Sequence, residues 1–172
     1  RFVVPVRTMH AGPNPRYCTI EGRNEVPDTL DKDIVTDAKR RLEDGEKMQL
    51  MYTVRNTMRA IGTRVSHHIV KKYGMKGLNP GQLTLDLRGS AGQSLGAFAV
   101  QGVKLKLFGD ANDYVGKGLS GGLITLKPAP DEAHRLGAII GNTCLYGATS
   151  GQLFAAGLAG ECDQRHALRQ AA

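Results

Sequence analysis

Gly116-Lys117-Gly118-Leu119-Ser120-Gly121 has the G-x-G-x-x-G spacing with which a turn can bring backbone amides against a pyrophosphate. That chemistry requires a strand before the turn and a helix after it, because the helix N-terminus supplies the unpaired N–H groups. Here Gly122 and the β-rich Leu123-Ile124-Thr125-Leu126 follow, so no helix is expected and no nucleotide is read. The phosphate-loop pattern GxxxxGK with Ser or Thr next also fails, since Ala111 stands at its first glycine and Gly118 at its hydroxyl position. Asp110 and Asp113 flank Asn112, and Asp86 precedes them by one repeat. Paired carboxylates could exchange protons with a substrate. Asp and Asn at turns more simply satisfy backbone amides, and that corner role is the expectation. Ser90, Ser94 and Ser120 have no histidine in the same segment to act as base. His67 and His68 are adjacent, so on a helix they diverge by about 100° and do not share a metal. Cys18, Cys144 and Cys162 lack C-x-x-C spacing and read as reduced thiols of a cytoplasmic protein. No catalytic, cofactor-binding or metal-ligating residue is expected in this chain.

The charge is uneven. Lys and Arg number 23 against 16 Asp and Glu, a net +7. Residues 1–82 carry 15 basic and 9 acidic side chains and residues 83–172 carry 8 and 7, so nearly all the excess lies in the first half. Signs are mixed and aromatics are only 5% of residues, which argues against nucleic acid and for a solvated face or a surface that docks acidic protein. No stretch reaches the roughly 18 uncharged apolar residues of a membrane span. The start, Arg1-Phe2-Val3-Val4-Pro5, has neither a signal segment nor a Met, and the chain reads as a soluble piece of something longer.

The elements that must position these residues follow from periodicity. Residues 1–27, punctuated by Pro5, Gly12, Pro13, Pro15, Gly22 and Pro27, read as an extended linker from a preceding domain. Asp28 is placed to cap a helix whose Leu30, Ile34, Ala38 and Leu42 share one face, with Gly45 as its stop. Met48, Leu50, Tyr52 and Val54 alternate with other residues and predict a strand. A second helix is expected from about Met58 or Thr63 to Tyr73, with Ile61, Val65, Ile69 and Tyr73 inward and Gly74 as stop.

From residue 81 the chain repeats. Leu83–Leu87, Val103–Leu107 and Leu123–Lys127 align at offsets of twenty, and Gly89 with Gly109, Gly96 with Gly116 and Gly102 with Gly122 keep that register. A further period aligns at thirty, pairing Asn112 with Asn142, Val115 with Leu145, Ser120 with Ser150 and Leu123 with Leu153. The ten extra residues fit a surface insertion around Pro128–Gly137. Strands of five residues cannot bury both faces alone, but one turn of a coil per period would stack them in parallel about 4.8 Å apart. Glycines at the corners would allow sharp bends without crowding between rungs. The expected fold is mainly β: a right-handed parallel β-helix with about 20-residue rungs, preceded by a small α/β segment. A structural motif is expected of Gly89, Gly92, Gly96, Gly102, Gly109, Asn112, Asp113, Gly116, Lys117, Gly118, Gly121, Gly122, Gly141, Asn142, Gly147 and Gly151. Lys117, the one charge in a glycine-rich corner, is a candidate contact for an acidic partner group, although a solvated lysine is the ordinary reading.

The stretch from Gly89 through Phe98, the stretch Gly109–Gly122 and Ile140–Thr149 resemble the C-terminal glycine-rich (GXGXG) β-helix domain of glutamate synthase large (alpha) subunits. Arg23–Pro27, Tyr52–Thr57 and Arg59–Arg64 extend that resemblance, which covers about residues 23–161. It implies one domain over 28–161, with a helix-strand-helix lead-in at 28–80 and glycine-rich coils at 81–161. It further implies a parent enzyme that makes L-glutamate from L-glutamine and 2-oxoglutarate. In that family an amidotransferase domain hydrolyses glutamine at an N-terminal cysteine. FMN and iron–sulfur clusters act in a separate barrel domain, and NADPH and FAD belong to a partner small (beta) subunit. The β-helix domain is a scaffold between them. The implied partners of this chain are therefore the other domains of the large subunit and the small subunit, with no family catalytic residue carried over.

After Gly160-Glu161 the family pattern would continue with glycine-rich rungs, whereas Cys162–Ala172 has no Gly and no alternation. This atypical tail reads either as a truncated or frameshifted segment or as a cap over the open end of the coil. Two other functions fit the repeat: a stand-alone glycine-rich subunit similar to that of formylmethanofuran dehydrogenase or a glutamate-synthase-like paralogue, and a small-molecule binding module using the His67/His68 region or the coil's end.

Overall fold

The computed structural model describes Gly22, residues 28–129 and residues 137–160. The expected linker apart from Gly22, most of the insertion, the tail, Cys18 and Cys162 lie outside the described residues.

Helix α1 (Leu30–Glu43) buries Ile34, Ala38 and Leu42, the four-residue spacing seen in the sequence. Its N-cap is Thr29 rather than Asp28, and no side chain caps it. Asp28 instead pairs with Lys32, one turn along, at 2.8 Å, because an i,i+4 cation competes for its carboxylate. Strand β1 (Met48–Val54) has its two ends, Met48 and Val54, buried. Helix α2 (Thr63–Tyr73) packs on α1 through Val65 and Ile69 and stops at Gly74. A 3-10 turn at Gly74–Lys76 leads toward the repeats.

The helices are tied together at the N-terminus of α2, which begins at a left-handed glycine and lacks a capping side chain of its own. Asp31, buried on α1, takes over that role across the helix pair. The Gly62 amide donates to its Oδ1 at 2.7 Å and the Arg64 amide to its Oδ2 at 2.6 Å. Burial pushes the Asp31 carboxyl above the ordinary range, against the opposing pull of those amides. At the far end Lys72 reaches Glu43 at 2.9 Å and the Tyr73 hydroxyl donates to the Leu42 carbonyl at 2.6 Å.

The remaining strands form one parallel sheet with β1, in the order β1-β2-β3-β4-β6. These are β2 (Leu83–Ala91), β3 (Val103–Ala111), β4 (Ser120–Lys127), β5 (Ala138–Ile140), β6 (Ser150–Ala155) and β7 (Leu158–Ala159), with β5 joined to β3 and β7 to β5. Leu83, Leu85 and Leu87 lie opposite Val103, Leu105 and Leu107, the offset of twenty read from the sequence. All six are buried, and excluding a leucine of this kind from water stabilises by about 2 kcal/mol.

The third period departs from the sequence alignment. Ser120 bridges to Val100, still twenty apart. Beyond Gly121-Gly122, Leu105 faces Ile124 and Leu107 faces Leu126, an offset of nineteen. The slip by one residue turns Ile124 and Leu126 inward and leaves Leu123 and Thr125 on the outer face. The fourth period also runs one short of the expected thirty. Ile124 faces Leu153, not Leu123, and Cys144 rather than Leu145 is buried as Val115 is.

Between strands the chain makes equivalent turns that stack on one another. Ser94, Tyr114 and Thr143 have φ of 65°, 62° and 55°; two residues on, Gly96, Gly116 and Leu145 have 67°, 67° and 59°. Two further on, Phe98, Gly118 and Gly147 have 56°, 62° and 67°. Seven of these nine positions, all but Thr143 and Gly147, donate an amide hydrogen bond to a neighbouring layer. Gly96 donates to Ile61 O, Gly116 to Leu95 O and Leu145 to Val115 O, at 2.8, 2.9 and 2.8 Å. Ser94 donates to Asp113 O and Tyr114 to Asn142 O, both at 2.9 Å. The intervening Ile61, Leu95, Val115 and Cys144 all turn inward as a buried column.

Two substitutions probe these ties. Asp31→Ala removes the acceptor of two amides and is expected to cost about 3 kcal/mol in urea unfolding; a loss below about 1 kcal/mol would show that the helix pair does not depend on it. At Gly109, φ is 142° and an added Cβ would collide with the Gly89 carbonyl oxygen, whereas at Gly147, φ 67°, it would meet nothing within 4 Å. Gly109→Ala is expected to cost about 3 kcal/mol or more and Gly147→Ala only the left-handed strain of about 1 kcal/mol. Equal losses would argue against close layer stacking at Gly109.

Candidate docking face

The side chains that could do chemistry are committed to structure. Asp86 lies in the middle of β2, not at a corner as expected. It is placed there by the offset of twenty, which sets it between Met51 and Lys106. It accepts from Gln49 Nε2, and Lys106 Nζ lies 3.4 Å from its Oδ1. Asp110, inside β3, accepts from the Ser90 hydroxyl at 2.8 Å. Asp113 does occupy a corner, where its Oδ1 receives the Asn142 amide at 2.8 Å. The Ser120 hydroxyl donates to Gly118 O at 2.9 Å. His67 is exposed on α2; His68 is half-buried with no hydrogen-bond partner at Nε2. The Cys144 thiol is buried and donates to Gly141 O at 3.3 Å. Among the described residues no group of three or more His, Cys, Asp or Glu could hold a metal ion, and no helix is long and apolar enough to cross a membrane.

The G-x-G-x-x-G run ends in strand β4, so no helix N-terminus faces it. Gly116 and Gly118 are the second and third left-handed positions of a stacked turn. Gly89 and Gly109 face each other in β2 and β3. Gly92 packs where a Cβ would meet Asn56 O and Met58 O at 2.5 and 2.6 Å. Gly102, Gly121, Gly122 and Gly151 lie near the strand starts, Gly102 and Gly121 lining a cleft of about 400 Å³ with Gln101, Lys104 and Gln152. That cleft has one charged side chain and no nucleophile. Asn112 donates its amide to Ala91 O, and Gly141 to Ala111 O, both at 3.0 Å.

Outward from the stacked turns, the third-layer Lys117 meets aromatic residues of its own and the next layer. Its Nζ lies 5.6 Å from the Tyr114 ring centre and 6.0 Å from that of Tyr146, distances at which ring quadrupoles attract the ammonium. Tyr146 is brought over Lys117 because Gly118 donates its amide to Tyr146 O at 2.8 Å. Phe98, in the layer on the other side, donates its amide to Lys117 O at 2.7 Å, and its ring covers the Gly118 Cα, where no side chain would fit. Phe98 and Tyr146 are 53% and 61% exposed and Tyr114 is 36% exposed, so three of the six exposed large apolar residues among the described residues lie at one corner. Lys117 alone was legible as a candidate. The aromatic residues come from three periods at unequal spacing, and their one signal was that so aromatic-poor a chain spends them inside its glycine-rich turns.

Over 153 residues, 87% of this chain, the sequence is 65% identical to the NADPH glutamate synthase large chain of Azospirillum brasilense, covering 10% of that protein. It is 46% identical over 162 residues to the NADH glutamate synthase of Saccharomyces cerevisiae, 93% of this chain and 8% of that one. A ferredoxin-dependent glutamate synthase 2 of Synechocystis is 54% identical over 112 residues, 64% of this chain and 7% of its own length. The chain thus spans about a tenth or less of the curated relatives it matches. The pattern of the GXGXG motif family matches residues 31–172, and the chain belongs to that family.

Proposed function

We propose that this chain is a scaffold segment of a glutamate synthase, bracing the parts of a longer polypeptide that make L-glutamate from L-glutamine and 2-oxoglutarate. The observation that carries the reading is the use of its polar groups. Asp86, Asp110, Asp113, Ser90 and Ser120 all bond within the chain, while the relatives that share its sequence are glutamate synthases some ten times its length. In this reading residues 28–161 are one domain, a right-handed parallel β-helix entered through α1, β1 and α2. The glycines of the stacked turns, with Asn112, Asp113 and Asn142, are its structural motif. FMN and iron–sulfur clusters sit on other domains, NADPH and FAD on a small subunit, and none on this chain. The partners are the other large-subunit domains and that small subunit, in the cytoplasm.

The test is to assay the purified chain for glutamine hydrolysis, for glutamate formation and for bound flavin absorbance. No turnover and no stoichiometric flavin are expected. Turnover by the chain alone, or a bound yellow cofactor, would overturn the scaffold role.

A further inference from the structure

We propose that the corner formed by Phe98, Tyr114, Lys117 and Tyr146 is the seat of an acidic loop from another domain of the same long polypeptide, whose Asp or Glu carboxylate pairs with the Lys117 ammonium. The inference rests on the scaffold reading and names the contact through which the scaffold would hold a neighbour.

Three independent observations carry it. The first is exposure: Phe98 and Tyr146 are each more than half exposed and Tyr114 is at 36%; the two tyrosine ring centres lie 5.6 and 6.0 Å from the Lys117 ammonium, and the Phe98 ring lies beside Gly118, the next residue. Aromatic side chains beside a single charge are what desolvated contact centres are built from. The second is conformation. Phe98 is left-handed, φ 56°, at the position where the next two layers place Gly118 and Gly147. A bulky residue there costs about 1 kcal/mol over glycine, and its ring returns little of that by self-burial because it stays more than half exposed. The third is charge. Among the described residues no carboxylate lies within ion-pair distance of Lys117, although the chain pairs Lys32, Lys72 and Lys106 in this way. The two tyrosine rings attract the ammonium through their quadrupoles but supply no charged oxygen acceptor.

The same polypeptide is favoured as the source because about nine tenths of each matched relative lies outside the region this chain covers. A tethered loop competes at high effective concentration. A carboxylate closed against the aromatic rings of this corner would be shielded from water, which strengthens its attraction to the ammonium.

The experiment uses the full-length polypeptide that carries this segment. Carbodiimide treatment joins an amine to a carboxylate it touches, and peptide mass spectrometry then identifies the pair. The expected product links Lys117 to an Asp or Glu outside this segment on the same polypeptide. In the untreated protein, acylation of Lys117 by an amine-reactive ester is expected to be at least about tenfold slower than that of exposed Lys71, and Tyr146→Ala is expected to bring it to within about twofold of Lys71. A Lys117 link only to another subunit, to a second copy or within this segment would overturn the proposal. So would an uncross-linked Lys117 that acylates as fast as Lys71. A chain that turned over substrate by itself would refute the scaffold role and leave the cross-link result untouched.

Discussion

Parallel strands joined in sequence order impose a constraint that antiparallel hairpins do not. Each strand must be returned to its starting edge, and every return must leave the same space as the one beneath it. In this chain the returns satisfy the constraint by adopting one shape repeatedly, with left-handed residues at three alternate positions and amides donated to the adjacent layer. The connection is thus a hydrogen-bonded ladder as regular as the sheet, and its buried column of Ile61, Leu95, Val115 and Cys144 continues the core. The G-x-G of Gly116 and Gly118 falls on two of these left-handed positions, where glycine carries no Cβ strain.

That regularity explains both what the molecule holds and what it leaves free. Inward positions are spent on aliphatic packing, and polar positions near the turns are spent on neighbouring strands or amides, as with Asp110 and Asp113. Phe98, Tyr114 and Tyr146, on the turns, stay exposed, so their rings are available for contacts. The helix pair α1–α2 is joined through Asp31 and meets the stacked turns through the Thr63 hydroxyl, which donates to Ala97 O at 2.9 Å. The basic residues between Arg55 and Lys76, in and around α2, stand apart from the aromatic corner in sequence and give the molecule an uneven field.

Much of this was legible in the sequence. The four-residue spacing of Leu30 to Leu42, the alternation of Met48 to Val54 and the twenty-residue match of Leu83–Leu87 with Val103–Leu107 reflect burial directly, and the structure has helix, strand and parallel pairing there. The register after Ser120 was not legible for a physical reason. Leu123-Ile124-Thr125-Leu126 offers an acceptable apolar set in either phase, and Gly121-Gly122 has no side chain to choose between them. The slip emerges only when Ile124 and Leu126 compete for the space between Leu105, Leu107 and Leu153. The cap by Asp31 was hidden because it acts on a helix 31 residues away from its own position, and local patterns favoured Asp28. The aromatic corner is a product of stacking alone.

The central claim is that the stacked turns are held as firmly as the strands, and amide hydrogen exchange of the chain measures that residue by residue. The account predicts that the amides of Gly96, Gly116 and Leu145 exchange as slowly as those of Leu85 and Leu105, as parts of one cooperative unit. Exchange of those three amides at the rate of open loops, with the strand amides protected, would contradict it.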